Sequence, residues 1–483
     1  MDAMPDNYKN IYEYEILTDF YQLTMCNGYL IKGIGDQIAV FDLFFRKAPF
    51  NGVYAICYGL NRAINDIAKM QFSEGSLNYL RKQNIFSEEF IEYLSDWKFK
   101  LTIRSVDDGR VIYPYEPIMQ VEGPLIQCQL IETYLLNCFN FPTLCATKAN
   151  RMWITSGKQP IMEFGLRRAQ GPNGGISASE AACVGGCMGT SNVLAGKLYD
   201  LSINGTHAHS WVMAFDSELD AFRAYAKIYP DTCVLLIDTY DILKTGMPNA
   251  ITVAKELEAK GKKLLAVRID SGDLAYFSRK CRKMFNEVGL NYVKIIASND
   301  IDEYIIDDIR HQKGAIDIWG IGTKLSTCYD DPALGGVYKL VEIEGAPKIK
   351  ISSNVEKMTI PCKKQVFRIY DEKEIMTGDI MVPIEQKTVD EDYVYDPLNP
   401  LRYYKLSNPA RVEALLKQKV KDGILLDASG NWKSARKIME EDITHLSESS
   451  IRLLNPQKYK VSISKSLHKL RTKLIEEFLG KTS

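Results

Sequence analysis

Between residues 159 and 326 the chain repeats one pattern: a short apolar run, a polar cluster, then a stretch whose apolar residues recur at helical spacing. QPIMEFGLRR leads to SASEAACVGGCMG, where Ser177 or Ser179 is expected to cap a helix. LSINGTHAHS precedes DSELDAFRAYAKIYP, and TCVLLIDTYD precedes NAITVAKELEAKG, closed by Gly261 as a helix stop. KLLAVRIDSGD precedes LAYFSRKCRKMFNEVG, VKIIASND precedes DEYIIDDIRHQKG, and AIDIWGIGTKLS ends the series. Strands that read as buried on both faces predict a parallel sheet. The polar clusters fall at the C-terminal ends of these strands, which is the rim where a βα-barrel builds its site. A doubly wound open sheet competes, but its Gly-rich loop after the first strand is missing, so an α/β irregular βα-barrel is favoured.

The flanks read differently. AVFDLFFRKAP and LTIRSVDDGRVIYPYEPIMQVEGP have strand character, and QFSEGSLNYLRKQNIFSEEFIEYLSDW is helical in pattern. The expected organisation is an N-terminal mixed α/β domain over 1–125, the barrel with the active site over 126–345, and a C-terminal region over 346–483 packing on both. That last region reads as short strands and turns, then a helix with the stripe Leu467, Leu470, Leu474 and Phe478, ended by Gly480.

Composition narrows the function classes. The 483 residues carry a net charge of -1, so no global field favours nucleic acid or an anionic membrane, and any anion needs a local site. No apolar run approaches the roughly 20 residues that span a bilayer, and the opening MDAMPDNYKN lacks a signal peptide's apolar core. The 11 cysteines are scattered and form no C-x-x-C pair; Cys183 and Cys187 are expected to share a helix face as packing residues. Free thiols of this kind point to the cytoplasm.

The strand ends supply a set of chemistry: Arg167 and Arg168, His207 and His209, Asp238 and Asp241, then Arg268, Asp270 and Asp273. Ser298, Asn299 and Asp300 follow, and Gly320, Gly322 and Thr323 complete it. On one rim they describe a pocket for a phosphorylated, hydroxyl-bearing substrate. Guanidinium forks grip phosphate oxygens, and carboxylates take ribose hydroxyls or Mg²⁺. In WGIGTKLS, glycines before a helix start let backbone N–H groups approach an anion.

ILTDFYQLTM, EFGLRRAQGPNGG, GGCMGTSNVLAG, GTHAHSW, LIDTYD, VRIDSGD and GIGTKL, in this order, resemble the nicotinate phosphoribosyltransferase family, and NPQKYKVSIS is similar to its C-terminal portion. The resemblance implies a type II phosphoribosyltransferase-like barrel. It also implies an ATP-dependent enzyme, classed as a ligase, that joins nicotinate to phosphoribosyl pyrophosphate with Mg²⁺ as cofactor, the first step of NAD salvage from nicotinate. A homodimer with a shared active site is implied as well. Tyr21, from the partner subunit, and Phe164 would sandwich the pyridine ring. Arg167, Thr206 and Arg268 would contact nicotinate or the phosphoribosyl group, Asp270 would hold ribose hydroxyls, and Gly320, Gly322 and Thr323 would bind the 5′-phosphate. His209 would be the phosphohistidine, oriented by Asp238.

Ser191 follows Gly189-Thr190 where nicotinamide-using relatives carry an aspartate, so a carboxylate is not repelled and nicotinate is expected over nicotinamide. His207 has no assigned role, and some versions of the motif carry glutamine there. A metal-dependent barrel hydrolase with His-x-His ligands is the rival enzyme class. The other three of the five histidines, His311, His445 and His468, are poorly placed to complete such a site. A degenerate barrel kept as a scaffold is the non-enzymatic rival, and it would be expected to have lost the charged strand-end set.

Overall fold

The computed structural model describes residues 13–389, 391–399, 401–406 and 409–482; the segment MDAMPDNYKN lies outside the described residues. The chain divides into two compact units, one built from the chain before Cys145 and after Pro332, the other from Cys145–Pro332. These divisions differ from the expected boundaries at 125/126 and 345/346. The helix Glu132–Thr155 runs through the first division, and strand Gly336–Ile343 pairs antiparallel along Ile38–Phe45, which keeps the chain after 332 with the N-terminal segment.

In that first unit a seven-stranded antiparallel sheet has Ile38–Phe45 and Met119–Pro124 near its centre. A six-stranded mixed sheet gathers strands from 364 to 463. The helical stretch forms two helices, Glu74–Lys82 and Glu88–Ser95. Their N-caps Ser73 and Ser87 accept from the Ser76 and Phe90 N–H groups, so each supplies an orphan donor with a partner. Leu77, Leu80, Phe90, Ile91 and Leu94 pack from them onto Leu23 and Cys26 of helix Phe20–Ile31. The last helix is Lys465–Thr482, so Gly480 lies inside it instead of ending it. Of its stripe, Leu467 is buried and Phe478 is exposed.

The second unit is the predicted barrel. Its strands are β1 (Ile161–Glu163), β2 (Gly189–Thr190), β3 (Val234–Leu236), β4 (Ala266–Ile269), β5 (Lys294–Asn299) and β6 (Ile318–Ile321). They order β2-β1-β6-β5-β4-β3, and every pairing is parallel. Ile161, Leu235, Val267, Ile269, Ile295, Ala297, Trp319 and Ile321 are buried. Each buried Ile, Leu or Val among them contributes about 2 kcal/mol on leaving water, and this burial on both faces is why the strands read as continuous apolar runs.

The segment LSINGTHAHS departs from expectation. It forms no strand, and Asn204 and Gly205 in its middle are poor strand formers. It joins the two edges of the sheet instead. On one side Thr190 N–H donates to Ser202 O at 3.0 Å and Asn204 N–H donates to Thr190 O at 2.9 Å. On the other side the Thr206 hydroxyl donates to Val234 O at 2.6 Å, and Leu236 N–H donates to His207 Nε2 at 3.2 Å. Backbone bonds on one side and side chains on the other make the closure irregular. Ser177 and Ser179 also differ from expectation: both lie inside helix Gly171–Gly185, which starts with Pro172 in its first turn. Cys183 and Cys187 are both buried, but Cys187 lies beyond the helix end.

Candidate active site

The rim is assembled from β3, β4 and β5. Asp238 follows β3, and its side chain is 1% exposed. Its Oδ2 accepts from the Asp270 N–H at 2.9 Å and from the Ser271 hydroxyl at 2.6 Å, while Oδ1 lies 3.3 Å from His209 Nε2. A carboxylate only accepts, so His209 carries its proton on Nε2 and leaves Nδ1 with a free lone pair. His209 opens the helix His209–Met213 and its side chain is 41% exposed, which presents the ring to solvent. Asp270, at the end of β4, takes the Ser298 hydroxyl from β5 on its Oδ1.

Arg268 adds the positive charge. Burial holds its guanidinium below the usual arginine range, the Asp270 and Asp238 carboxylates oppose this, and Arg167 reinforces it. Its Nη2 donates to His207 O at 3.3 Å, and its buried Nε has no hydrogen-bond partner among the described residues. Two guanidinium groups felt by one another, with one donor unanswered, form an environment that an anion relieves. Arg167 and Arg168 sit on the single turn Leu166–Arg168 after β1 and are exposed.

Phe164 and the glycines form the second part. Phe164 N–H donates to Ile321 O at 2.7 Å, fixing the end of β1 to β6. Gly320 is bare because of the ring beside it: a Cβ there would stand 2.7 Å from Phe164 Cε2 and 3.2 Å from Ser298 Cβ. Gly322 precedes the short helix Thr323–Ser326, and a Cβ there would meet Phe164 O at 3.2 Å.

Not every expected residue converges on the rim. Thr206 uses its hydroxyl on the Val234 carbonyl, in the closure of the barrel. His207 is buried beside it, and burial pushes its pKa down to about 4, so it is a neutral acceptor for the Leu236 N–H. Asp241 and Asp273 are helix caps, accepting from Leu243 and Lys244 and from Tyr276 respectively. Ser191 N–H donates to Glu163 O at 2.9 Å, next to β2. Tyr21, on Phe20–Ile31 of the other unit, is 49% exposed. Two residues escaped the sequence reading: Ser271, whose hydroxyl fixes Asp238, and Glu163, a wholly buried carboxylate within a quoted motif.

A parallel βα sheet whose two edges are joined by the 202–207 segment, with a histidine–carboxylate pair and guanidinium groups on its C-terminal rim, defines an irregular βα-barrel with a charged rim. The chain matches the nicotinate phosphoribosyltransferase (NAPRTase) N-terminal domain over residues 16–140, the nicotinate phosphoribosyltransferase family over 160–380 and its C-terminal domain over 363–471. It is 39% identical to a nicotinate phosphoribosyltransferase of Bacillus subtilis, covering 95% of this chain and 96% of that one. It is 37% identical to one of Caenorhabditis elegans, over 94% and 92% of the two chains. The crystal structure of human nicotinic acid phosphoribosyltransferase superposes with a TM-score of 0.84 at 30% identity, covering 95% of this chain and 100% of that chain. The chain belongs to the nicotinate phosphoribosyltransferase family.

Proposed function

We propose that the protein forms nicotinate mononucleotide and pyrophosphate from nicotinate and phosphoribosyl pyrophosphate, with ATP hydrolysis coupled through His209. The observation that carries this reading is the His209–Asp238 pair set on the same rim as Arg268. The pyridine nitrogen has no proton to lose, so its attack on the ribose C1′ needs no general base. The barrier lies in the departure of pyrophosphate and the charge growing on the ribose, and catalysis is positioning plus electrostatics. Arg268 and Arg167 hold anionic groups, and Asp270 accepts from ribose hydroxyls. Phe164 offers a face to the pyridine ring, with Tyr21 of a second subunit on the other face of the ring in a homodimer.

ATP acts at His209. The Nδ1 lone pair forms a P–N bond as the bond from the γ-phosphorus to the bridging oxygen breaks and ADP leaves. The Nε2 proton stays with its bond to Asp238, and hydrolysis later returns the free imidazole. The added phosphoryl group brings nearly two negative charges to the rim, which favours an Mg²⁺-bound pyrophosphate there. Mg²⁺ takes substrate phosphates and one or two carboxylates, and Asp270 is the residue that would hold it, supplying charge neutralisation. Among the described residues no cluster of three or more ligating side chains stands ready for a metal.

The scattered cysteines of the sequence, with no C-x-x-C pair among them, support a cytoplasmic setting. Among the described residues, no helix is long and apolar enough to cross a membrane. The test is product formation from nicotinate, phosphoribosyl pyrophosphate and Mg²⁺, with and without ATP, and with nicotinamide as competing base. Nicotinate mononucleotide that rises with ATP supports the reading. Faster turnover of nicotinamide would move it to the nicotinamide-using relatives.

A further inference from the structure

We infer that Glu163, although it reaches no substrate, is the positioning residue of the base-binding wall; the inference rests on the function proposed above. Glu163 ends β1 and is 0% exposed. Burial holds its carboxyl above the ordinary range, and three donors counter this: the Thr190 hydroxyl, the Gly165 N–H and the Ser179 hydroxyl. Oε1 accepts from Gly165 N–H, in the turn that follows Phe164. Oε2 accepts from the Thr190 hydroxyl at 2.5 Å and from the Ser179 hydroxyl at 2.9 Å. Its main chain works in the same sense, since Glu163 O accepts the Ser191 N–H at 2.9 Å and Glu163 registers with both Thr190 and Ile321.

Thr190 in turn accepts the Asn192 N–H at 2.9 Å, so the strand end, the turn beyond it and helix Gly171–Gly185 are held together by one carboxylate. The two pieces of chain so joined are the ones that matter for the base: the turn that aims Phe164 and the arginines, and the loop that carries Ser191. A serine or a leucine at 163 could fill space but could not bind Gly165 and Thr190 at once. A buried carboxylate held by hydroxyls and an N–H, with no basic partner among the described residues, would be a poor choice for stability alone. Here its two oxygens fix the distance between two walls.

The experiment compares Glu163→Ala, Glu163→Gln, Thr190→Val and Thr190→Ser by steady-state kinetics, with the yield of phosphohistidine as a third readout. Glutamine keeps an acceptor for Gly165 N–H, and its amide can donate to the hydroxyl oxygens, so it serves as the conservative rescue. In Glu163→Ala the KM for nicotinate rises about tenfold, since small misplacements of positioning groups have effects of this order. Phosphorylation at His209 stays near wild type, because β3 and β4, which carry Asp238 and its partners, are untouched. Glu163→Gln and Thr190→Ser recover most of the loss. Should Glu163→Ala fail to fold, Thr190→Val decides by the same split. An unchanged nicotinate KM in the folded variants, or an equal loss in all three readouts, overturns the inference. A wild-type protein that does not turn over nicotinate overturns the functional reading itself, and this inference with it.

Discussion

The Asp238 carboxylate faces the His209 Nε2 at 3.3 Å with one oxygen and holds the Asp270 N–H and the Ser271 hydroxyl with the other. Burial to 1% exposure on the aspartate side and 41% on the histidine side gives the pair a direction, with the anchor inside and the reactive ring outside. Replacing Asp238 by Asn puts an N–H where an acceptor stood. Oδ1 then stays with Asp270 and Ser271, the amide faces the ring, and the imidazole proton moves to Nδ1. Phosphohistidine formation is expected to fall by about a hundredfold or more, in line with other tautomer-reversing substitutions. Mass spectrometry at neutral pH after incubation with ATP reads this directly; full phosphorylation of the variant would refute the orientation.

Arg268 predicts a different signature. It is half-buried, its Nε is buried without a hydrogen-bond partner among the described residues, and Arg167 lies in its field. Arg268→Lys keeps the charge but loses the fork, and the KM for phosphoribosyl pyrophosphate is expected to rise about tenfold or more. Phosphohistidine formation should persist. Retention of wild-type KM in the lysine variant would show that the fork is not used.

His207 predicts a pH dependence of stability. Its folded pKa lies at about 4, below the unfolded value of about 6.5, so the unfolded chain binds the extra proton between these values. Stability from this residue is whole above pH 6.5 and declines as the pH falls toward 4. The full decline amounts to about 2–4 kcal/mol. Urea unfolding at pH 7 and pH 5 should show this loss in the wild type and a smaller one in His207→Gln, whose amide oxygen still accepts the Leu236 N–H. Equal slopes in the two proteins would sink the assignment.

Gly320 predicts a steric effect. A methyl group there would stand 2.7 Å from the Phe164 ring, so Gly320→Ala must displace it. Overpacking of this size costs about 1–3 kcal/mol, and the KM for nicotinate is expected to rise with it. Thermal unfolding together with nicotinate kinetics checks both, and Gly322→Ala, with its nearest contact at 3.2 Å, serves as the milder comparison.

Much of the barrel was legible in the chain. The runs around Ile161, Leu235, Val267, Ile295 and Trp319 alternate with helical spacing, and each became a parallel strand. Those elements are local: a buried strand needs an apolar run, and a cap needs a short polar side chain before a helix. What failed to show were features decided by distance in space. Ser179 looked like a cap but lies mid-helix with its hydroxyl on Glu163, and Asp273 looked like a pocket residue but caps its own helix. Thr206 sat in a substrate-binding motif, yet its hydroxyl answers the Val234 carbonyl.

The histidine stretch draws the line most sharply. By itself the sequence placed His207 and His209 near the end of an apolar run and tied His209 to Asp238 through a resemblance. It could not tell a strand from a seam, because the residues that close the barrel make their bonds to Thr190 on one edge and to Val234 and Leu236 on the other, through partners up to 29 positions away. Apolar periodicity records which face of a segment is dry, and that was enough for the strands. Which polar atom meets which is set only when the edges come together. So the tertiary structure made His207 a neutral structural acceptor, turned His209 toward solvent on Asp238, and left Glu163 under the wall that carries Phe164.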